Sequence, residues 1–163
     1  MLQFFLIILA VVVVVVVLIS RISHREKPLA FKQRDRVMNS SEQALFINLQ
    51  KVLGERFIIL SKVRIEDFVE VVRNGFDQRK VYGNRARIKS RHVDFLICEA
   101  LTTKPVLAIE LDGNSHYRQD RRERDNFVNE LYSSIGLRVE HVLVGSDFEN
   151  EAFRIRDSLI TYQ

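Results

Sequence analysis

The sequence predicts an α/β domain with a small mixed sheet, preceded by one transmembrane helix. Three observations lead to this prediction. An apolar run fills the first 19 residues of the 163-residue chain, and the charged residues all follow it. Beyond the run, segments rich in Ile, Val and Phe alternate with segments whose apolar residues recur at helical spacing. The predicted order there is α-β-β-β-α-β-α, which is typical of an α/β domain.

Residues 1–19 form the predicted transmembrane helix. Residues 4–19 are all apolar, and Gln3 is the one polar side chain before them. At about 1.5 Å per residue the segment spans about 28 Å, close to the ~30 Å thickness of a bilayer core. The alternative is a cleaved signal peptide, which typically has a basic start and a small-residue cleavage site. Neither feature precedes Arg21.

Residues 20–38 are predicted to be a basic juxtamembrane linker. Six of the basic residues that follow the apolar run are Arg21, Arg25, Lys27, Lys32, Arg34 and Arg36. The positive-inside rule therefore places the following domain on the cytoplasmic side. The single cysteine, Cys98, excludes an internal disulfide and suits a reducing compartment. Membrane topology and lipid contact are enough to explain these charges, so they do not by themselves require nucleic acid.

Residues 39–163 form the predicted domain, which begins with a helix. Ser40 and Gln43 fit a capping box, and Gly54 follows the last apolar residue of the helical pattern. A strand over 56–65 and a short helical piece over 67–72 come next. Residues 74–89 have no clean periodicity and are predicted to form a loop.

The second half of the domain contains three strands and two helices. The strands are predicted over 91–98, 105–112 and 138–144. A charged helix over 117–135 lies between the last two of these strands and ends at Gly136. The final helix is predicted over 147–160, with Asp147 as its N-cap.

Two carboxylates stand at the end of the predicted 105–112 strand. Glu110 and Asp112 point to the same face, because strand side chains alternate. Asp94 begins the apolar part of the preceding strand, so a hairpin would bring it beside both. Their mutual repulsion must be offset by a cation, a proton or exposure at the strand end. Converging carboxylates suit Mg²⁺ or Mn²⁺; the alternative is three solvated acids without a shared role.

Other candidate residues surround this group in the sequence. His116 follows Asp112 after a turn and is either a metal ligand, a general base or a surface residue. Glu42 lies in the first turn of a helix, where an acid is favourable in any case. Arg124 and Asp125 belong to the charged helix, whose charges are most simply explained as a solvated face.

A basic segment precedes the Asp94 strand. Between residues 73 and 91, one acid, Asp77, stands against the seven basic residues Arg73, Arg79, Lys80, Arg85, Arg87, Lys89 and Arg91. Basic residues beside a metal-binding acid group suit a polyanion such as DNA or RNA. A solvated or membrane-facing loop is the alternative.

These motifs together resemble a known superfamily. The pattern is Asp94, then Glu110-Leu111-Asp112-Gly113 and His116, then Arg124-Asp125 and Gly136-Leu137-Arg138-Val139. It is similar to the PD-(D/E)xK, restriction-endonuclease-like superfamily, in the branch related to very-short-patch-repair endonucleases. With the N-terminal anchor it also resembles the bacterial family of domains of unknown function DUF2726. The resemblance implies a restriction-endonuclease-like α-β-β-β-α-β core.

The resemblance also implies roles for individual residues. Asp94 and Glu110 would bind the metal, and Glu42 would match the acid of the first core helix. Asp112 stands where the superfamily motif has lysine, so His116 would take over that role. Arg124 and Asp125 would be accessory residues. The basic segment, rather than the resemblance, predicts that Arg85, Arg87, Lys89 and Arg91 contact nucleic acid.

The expected protein is thus a membrane-anchored, Mg²⁺- or Mn²⁺-dependent nuclease. It would sit in the bacterial inner membrane with its C-terminal domain in the cytoplasm. An inactive nuclease-fold module that binds nucleic acid or protein is the first alternative. A membrane-associated interaction protein that does not bind nucleic acid is the second.

Overall fold

A computed structural model describes residues 1–23, 29–73, 75, 77–113 and 119–161, with only the backbone described at 21–23 and 119–125. The chain forms two compact units, Met1–Asp35 and Arg36–Gln163. The first unit contains helix α1, Leu2–Ser23. Its Leu2–Ser20 segment is long and apolar enough to cross a membrane, and a signal sequence would meet the same two criteria.

The second unit is a mixed α/β fold of four helices and four strands in its described part. The elements are α2 Ser40–Leu53, β1 Phe57–Arg64, α3 Gln78–Lys89, β2 His92–Glu99, β3 Pro105–Asp112, α4 Gln119–Ser134, β4 Arg138–Leu143 and α5 Phe148–Thr161. Short 3-10 turns at Gly54–Arg56 and Ile65–Asp67 flank β1.

The four strands form one open sheet in the order β1-β2-β3-β4. Strands β1, β2 and β3 pair antiparallel, whereas β3 and β4 pair parallel. The parallel pair requires a crossover connection, which α4 provides. The mixed sheet and the predicted strands are therefore confirmed, with ends that shift by one residue or less.

Hydrophobic side chains cover both faces of the sheet. On one face, α2 and α5 bury residues such as Leu45 and Ile155 against Phe95 and Ile109. On the other face, Ile88 of α3 and Tyr132 of α4 pack with the alternate residues of the strands, such as Leu96 and Ala108. Cys98 is 1% exposed and belongs to this second cluster, as expected of a small core residue.

Three local predictions were wrong. Residues 78–89 form helix α3 rather than a loop; Ile88 is its one buried residue, so its sequence shows no apolar stripe. The N-cap of α2 is Asn39 paired with Glu42, rather than Ser40 with Gln43. The short helical piece is a 3-10 turn at Ile65–Asp67, before the predicted position.

Candidate functional site

Strands β2 and β3 place Asp94 beside Glu110, as the predicted hairpin requires. The register pairs Phe95 with Ile109, which sets the preceding residue of β2 opposite the following residue of β3. The backbone N–H of Leu111 donates to Asp94 Oδ2 at 2.9 Å. The backbone N–H of Asp94 in turn donates to the Glu110 carboxylate. Two carboxylates from neighbouring strands are thus held together by main-chain donors.

Glu110 is the carboxylate with the most perturbed environment. Burial, followed by the charges of Asp94 and Asp112, raises the pKa of Glu110 to about 8. The Tyr132 hydroxyl donates to Glu110 Oε1 at 3.5 Å, and burial followed by the Glu110 charge raises the pKa of Tyr132. A pKa of about 8 favours the protonated form of Glu110 at neutral pH. The sequence allowed a cation, a proton or exposure to offset the repulsion among the acids. At Glu110 a proton can do so.

Lys62, which no sequence motif indicated, neutralises the carboxylates of Glu42 and Asp94. Lys62 Nζ on β1 donates to Glu42 Oε1 and to Asp94 Oδ1, both at 2.6 Å. Burial lowers the pKa of Lys62, but the hydrogen bonds and charges of Asp94 and Glu42 outweigh it and leave the pKa raised. The signal available in the sequence was a lysine inside the mostly apolar strand β1, two residues after Leu60.

Lys62 also has an unusual backbone. Its φ is 55°, in the left-handed region that residues other than glycine seldom adopt. The paired residues of β1 and β2 run through Ser61 and Phe95 and resume at Val63 and Val93, with Lys62 between them. Such backbone conformations cost about 1–3 kcal/mol and concentrate at functional sites. The break in the strand geometry also makes the side-chain direction of Lys62 unpredictable from alternation.

Glu42 contributes to the site and to the helix end. Its Oε2 accepts from the backbone N–H of Asn39, and its own N–H donates to Asn39 Oδ1, both at 2.9 Å. The residue is only 7% exposed. The capping box thus fixes the carboxylate, while Oε1 accepts from Lys62.

Asp112 lies at the end of β3 in a second set of contacts. Its Oδ2 is 3.0 Å from His141 Nδ1, and His141 Nε2 is 3.1 Å from Asn129 Oδ1. His141 lies on β4 as the register partner of Glu110. The sequence analysis missed this histidine, because the parallel pairing of β3 and β4 joins residues far apart in the chain.

Some predicted site residues cannot be placed. His116 lies outside the described residues. Arg124 and Asp125 belong to α4, but only their backbone is described. In the part of the chain that the structure describes, no group of three or more His, Cys, Asp and Glu side chains is arranged to hold a metal ion. The predicted shared ligation by Asp94, Glu110 and Asp112 stays a prediction.

The predicted nucleic-acid-binding residues lie on or just after α3. Arg85, Arg87 and Lys89 are exposed. The guanidinium of Arg87 lies 3.6 Å from the centre of the Phe127 ring, and that of Arg91 lies 5.1 Å from it. These cation–π contacts hold the end of α3 against α4. The basic residues therefore stand on an ordered helix rather than on the predicted loop.

With this geometry in view, comparison with known proteins gives a family. Residues 34–156 match the family described as "Protein of unknown function (DUF2726)". This match covers well over half of the chain and nearly all of its second compact unit. The chain belongs to the DUF2726 family. The family match includes Glu42, Lys62, Asp94, Glu110, Asp112 and His141, so the whole described site lies in the DUF2726 region.

A relative of this DUF2726 protein is found in Haemophilus influenzae (strain ATCC 51907 / DSM 11121 / KW20 / Rd), under the name "Uncharacterized protein". It is 27% identical over 124 residues, which are 74% of this chain and 60% of the relative. The chain therefore matches less than two thirds of the relative's length. No solved structure matches the chain.

Proposed function

We propose that this DUF2726 protein is a membrane-anchored, divalent-metal-dependent nuclease that hydrolyses phosphodiesters in nucleic acid. The observation that carries the proposal is the pair of contacts made by Asp94, which accepts from the Lys62 ammonium and donates its backbone N–H to the Glu110 carboxylate. Carboxylates and a lysine that are linked across neighbouring strands suit phosphodiester hydrolysis. The proposal extends to a restriction-endonuclease-like core, in which α2, β1, β2, β3, α4 and β4 supply the α-β-β-β-α-β order and α3 is an insertion.

The chemistry of the donor set suits a hard divalent cation, although the described residues form no preformed group of three metal-binding side chains. Asp94, Glu110 and Asp112 offer carboxylate oxygens, and Mg²⁺ needs only one or two of them, together with waters and substrate phosphates. The pKa of Glu110 is raised first by burial and then by the charges of Asp94 and Asp112, and these neighbouring charges support this fit. A closed ligand cage is therefore not required.

A bound Mg²⁺ or Mn²⁺ would polarise the phosphoryl oxygen and lower the pKa of the attacking water. Glu110 would give up its proton and, with Asp94, hold the cation. Asp112 would share or orient it, and His116 would handle a proton. Lys62 would supply the fixed positive charge that stabilises developing negative charge on the phosphate. In this proposal, Lys62 takes the part of the superfamily's motif lysine, which Asp112 displaces on β3.

The basic helix supports a polyanionic substrate. Helix α3 carries Arg79, Lys80, Arg85, Arg87 and Lys89 and no acidic residue. Its last turn precedes β2, the strand that bears Asp94. Phosphate contacts from such a helix would position a nucleic acid without reading its sequence.

The alternative is an inactive nuclease-fold module that binds nucleic acid or protein at the membrane. Asp94 favours it, because Lys62 and the Leu111 N–H already occupy both of its carboxylate oxygens. In that case Lys62 would serve as a permanent replacement for the cation.

The test is cleavage by the full-length protein in detergent micelles. Labelled single-stranded and double-stranded DNA and RNA are incubated with EDTA, Mg²⁺ or Mn²⁺. The proposal predicts cleavage that needs the cation and is lost in Glu110→Gln. Glu99→Gln is the matched control, because Glu99 ends β2 and contacts Thr102 instead. Binding without cleavage under every condition would favour the inactive module, and cleavage that persists in EDTA would contradict the metal.

A further inference from the structure

The end of β4 places a histidine beside the acid group. His141 and Glu110 are register partners, and so are Val142 and Leu111. Val142 is buried in the cluster on the α2 and α5 face, so His141 points to the opposite face, together with Glu110 and Asp112. His141 therefore lies beside Glu110 and Asp112 in space, although 29 residues separate it from Asp112 in the sequence.

His141 contacts Asp112 through one ring nitrogen and Asn129 through the other. An ionised carboxylate can only accept, so the 3.0 Å contact with Asp112 Oδ2 requires a proton on Nδ1. The other ring nitrogen, Nε2, faces the side-chain amide of Asn129 at 3.1 Å, which can turn either its oxygen or its nitrogen to the ring. Asn129 is half-buried on α4, one turn before Tyr132, which contacts Glu110. The ring is thus held from both sides.

We infer that His141 is a positioning residue of the proposed metal site: it fixes the Asp112 carboxylate through Nδ1, and Asn129 fixes the ring. The inference rests on the proposed function, because it concerns how Asp112 is presented to a divalent cation. With Oδ2 held by His141, the other oxygen of Asp112 is fixed in direction. A group that orients a metal-binding carboxylate typically changes metal affinity about 10- to 100-fold when removed.

A merely structural bridge between β4 and α4 would predict a different result. Loss of a bridge would lower stability and leave cation affinity unchanged once the protein is folded. Direct ligation by His141 would also differ, because a ligand would still bind the cation in an Asp112→Asn background, and His141→Ala would then cause its full loss there. Asparagine can place an N–H close to the position of Nδ1. The Asp112→Asn background therefore separates positioning from ligation, and His141→Asn tests whether an N–H at this position is enough.

The full-length protein in detergent micelles is titrated with Mn²⁺, and electron paramagnetic resonance measures the bound Mn²⁺ at each step. We expect His141→Ala to weaken Mn²⁺ binding about 10- to 100-fold and His141→Asn to restore most of the loss. His92→Ala is the matched control, because His92 is an exposed histidine at the start of β2. In an Asp112→Asn background, His141→Ala should cause little further loss, since the two residues act through one contact.

Each other outcome is decisive. Unchanged affinity in His141→Ala would overturn the inference and leave the proposed cation site intact. A full loss for His141→Ala in the Asp112→Asn background would assign His141 as a ligand and also overturn it. Absence of Mn²⁺ binding in the wild type would overturn both the inference and the proposed function. Should His141→Ala fail to fold, Asn129→Ala must weaken Mn²⁺ binding by a smaller factor, and unchanged affinity there would overturn the inference.

Discussion

Asp94 and Glu110 lie side by side but are stabilised in different ways. Asp94 accepts from the Lys62 ammonium and from a backbone N–H. Glu110 receives the Tyr132 hydroxyl and a backbone N–H, and burial raises its pKa to about 8. A bound cation would offset the negative charges around Glu110, so it would lower the pKa of Glu110 and release the proton. Under the proposed function, the site would therefore exchange a proton for a metal ion, which can be tested residue by residue.

The stability of the second unit should depend on the charge of Glu110. Its folded pKa of about 8 lies above the ordinary value of 4.5, so the folded state holds the proton more tightly. The resulting stabilisation is complete below pH 4.5 and is lost as the pH rises toward 8. The slope is at most about 1.4 kcal/mol per pH unit.

Glu110→Gln should flatten this dependence, because the amide does not titrate. The measurement is urea unfolding in EDTA across the same pH range, with Glu99→Gln as the control that keeps the wild-type slope. Replacing EDTA with Mn²⁺ should reduce the pH slope of the wild-type stability and leave that of Glu110→Gln unchanged. Equal slopes in the wild type and Glu110→Gln would contradict the assignment.

Removal of Lys62 should destabilise the second unit. In Lys62→Met, the carboxylates of Glu42 and Asp94 would face each other without the ammonium. Breaking a buried ion pair costs about 3–5 kcal/mol. Lys62 has a side chain 25% exposed, so we expect a smaller loss, about 2 kcal/mol.

Chemical unfolding at pH 7 in EDTA gives this difference. Arg64→Met is the control, because Arg64 pairs with Asp67 at an exposed position, where solvent screens the ion pair and its loss should matter little. Adding Glu42→Gln to Lys62→Met should recover part of the loss by removing one of the two charges. A loss no larger than that of the control would contradict the role given to Lys62.

At the scale of elements, α2 and α3 are positioned for different reasons. Helix α2 buries Leu45 and Leu49 completely and begins at a capping box that also fixes Glu42. Helix α3 buries Ile88 and holds its C-terminal end through the contact of Arg87 with Phe127. The first helix supplies a site residue from the core, whereas the second presents basic residues to solvent.

The basic residues of α3 should control binding to nucleic acid. Replacing Arg85, Arg87 and Lys89 with Ala should weaken binding and reduce the salt slope by about 2–3, because each phosphate contact contributes about 0.7–0.9. Fluorescence anisotropy of labelled DNA and RNA between about 50 and about 200 mM salt measures the slope. The matched control replaces the exposed Lys51, Arg56 and Lys104. An equal effect in both variants would show that net charge, rather than the position of these residues on α3, controls binding.

At the scale of the whole molecule, two compact units have different chemistry. The Met1–Asp35 unit contains the apolar helix α1, and the Arg36–Gln163 unit contains the sheet and the candidate site. Lipid would cover the exposed apolar side chains of α1, and basic residues follow that helix in the sequence. We therefore propose an anchored protein whose second unit faces the cytoplasm.

Protease treatment of intact spheroplasts should leave the second unit undigested, because it would lie behind the membrane. Digestion after detergent permeabilisation is the control that shows the unit to be cleavable. Membrane fractions should also retain the full-length chain after a high-salt wash, since α1 would hold it by hydrophobic contact. Digestion in intact spheroplasts would contradict the orientation, and release of a shortened chain would favour a signal sequence.

The sequence alone determined the apolar helix α1, the four strands and the placement of Asp94 beside Glu110. These features follow from local patterns: composition for α1, alternation within a strand, and the short connection of a hairpin. It did not determine α3, whose one buried residue, Ile88, leaves no apolar stripe.

Only the tertiary structure decided which partners complete the acid group. Lys62 is 20 residues from Glu42 and 32 from Asp94, Tyr132 is 22 from Glu110, and His141 is 29 from Asp112. Such contacts depend on sheet order, on the parallel pairing of β3 with β4 and on the left-handed backbone of Lys62. No periodicity within one segment encodes them, because each arises where separate segments pack on a common sheet.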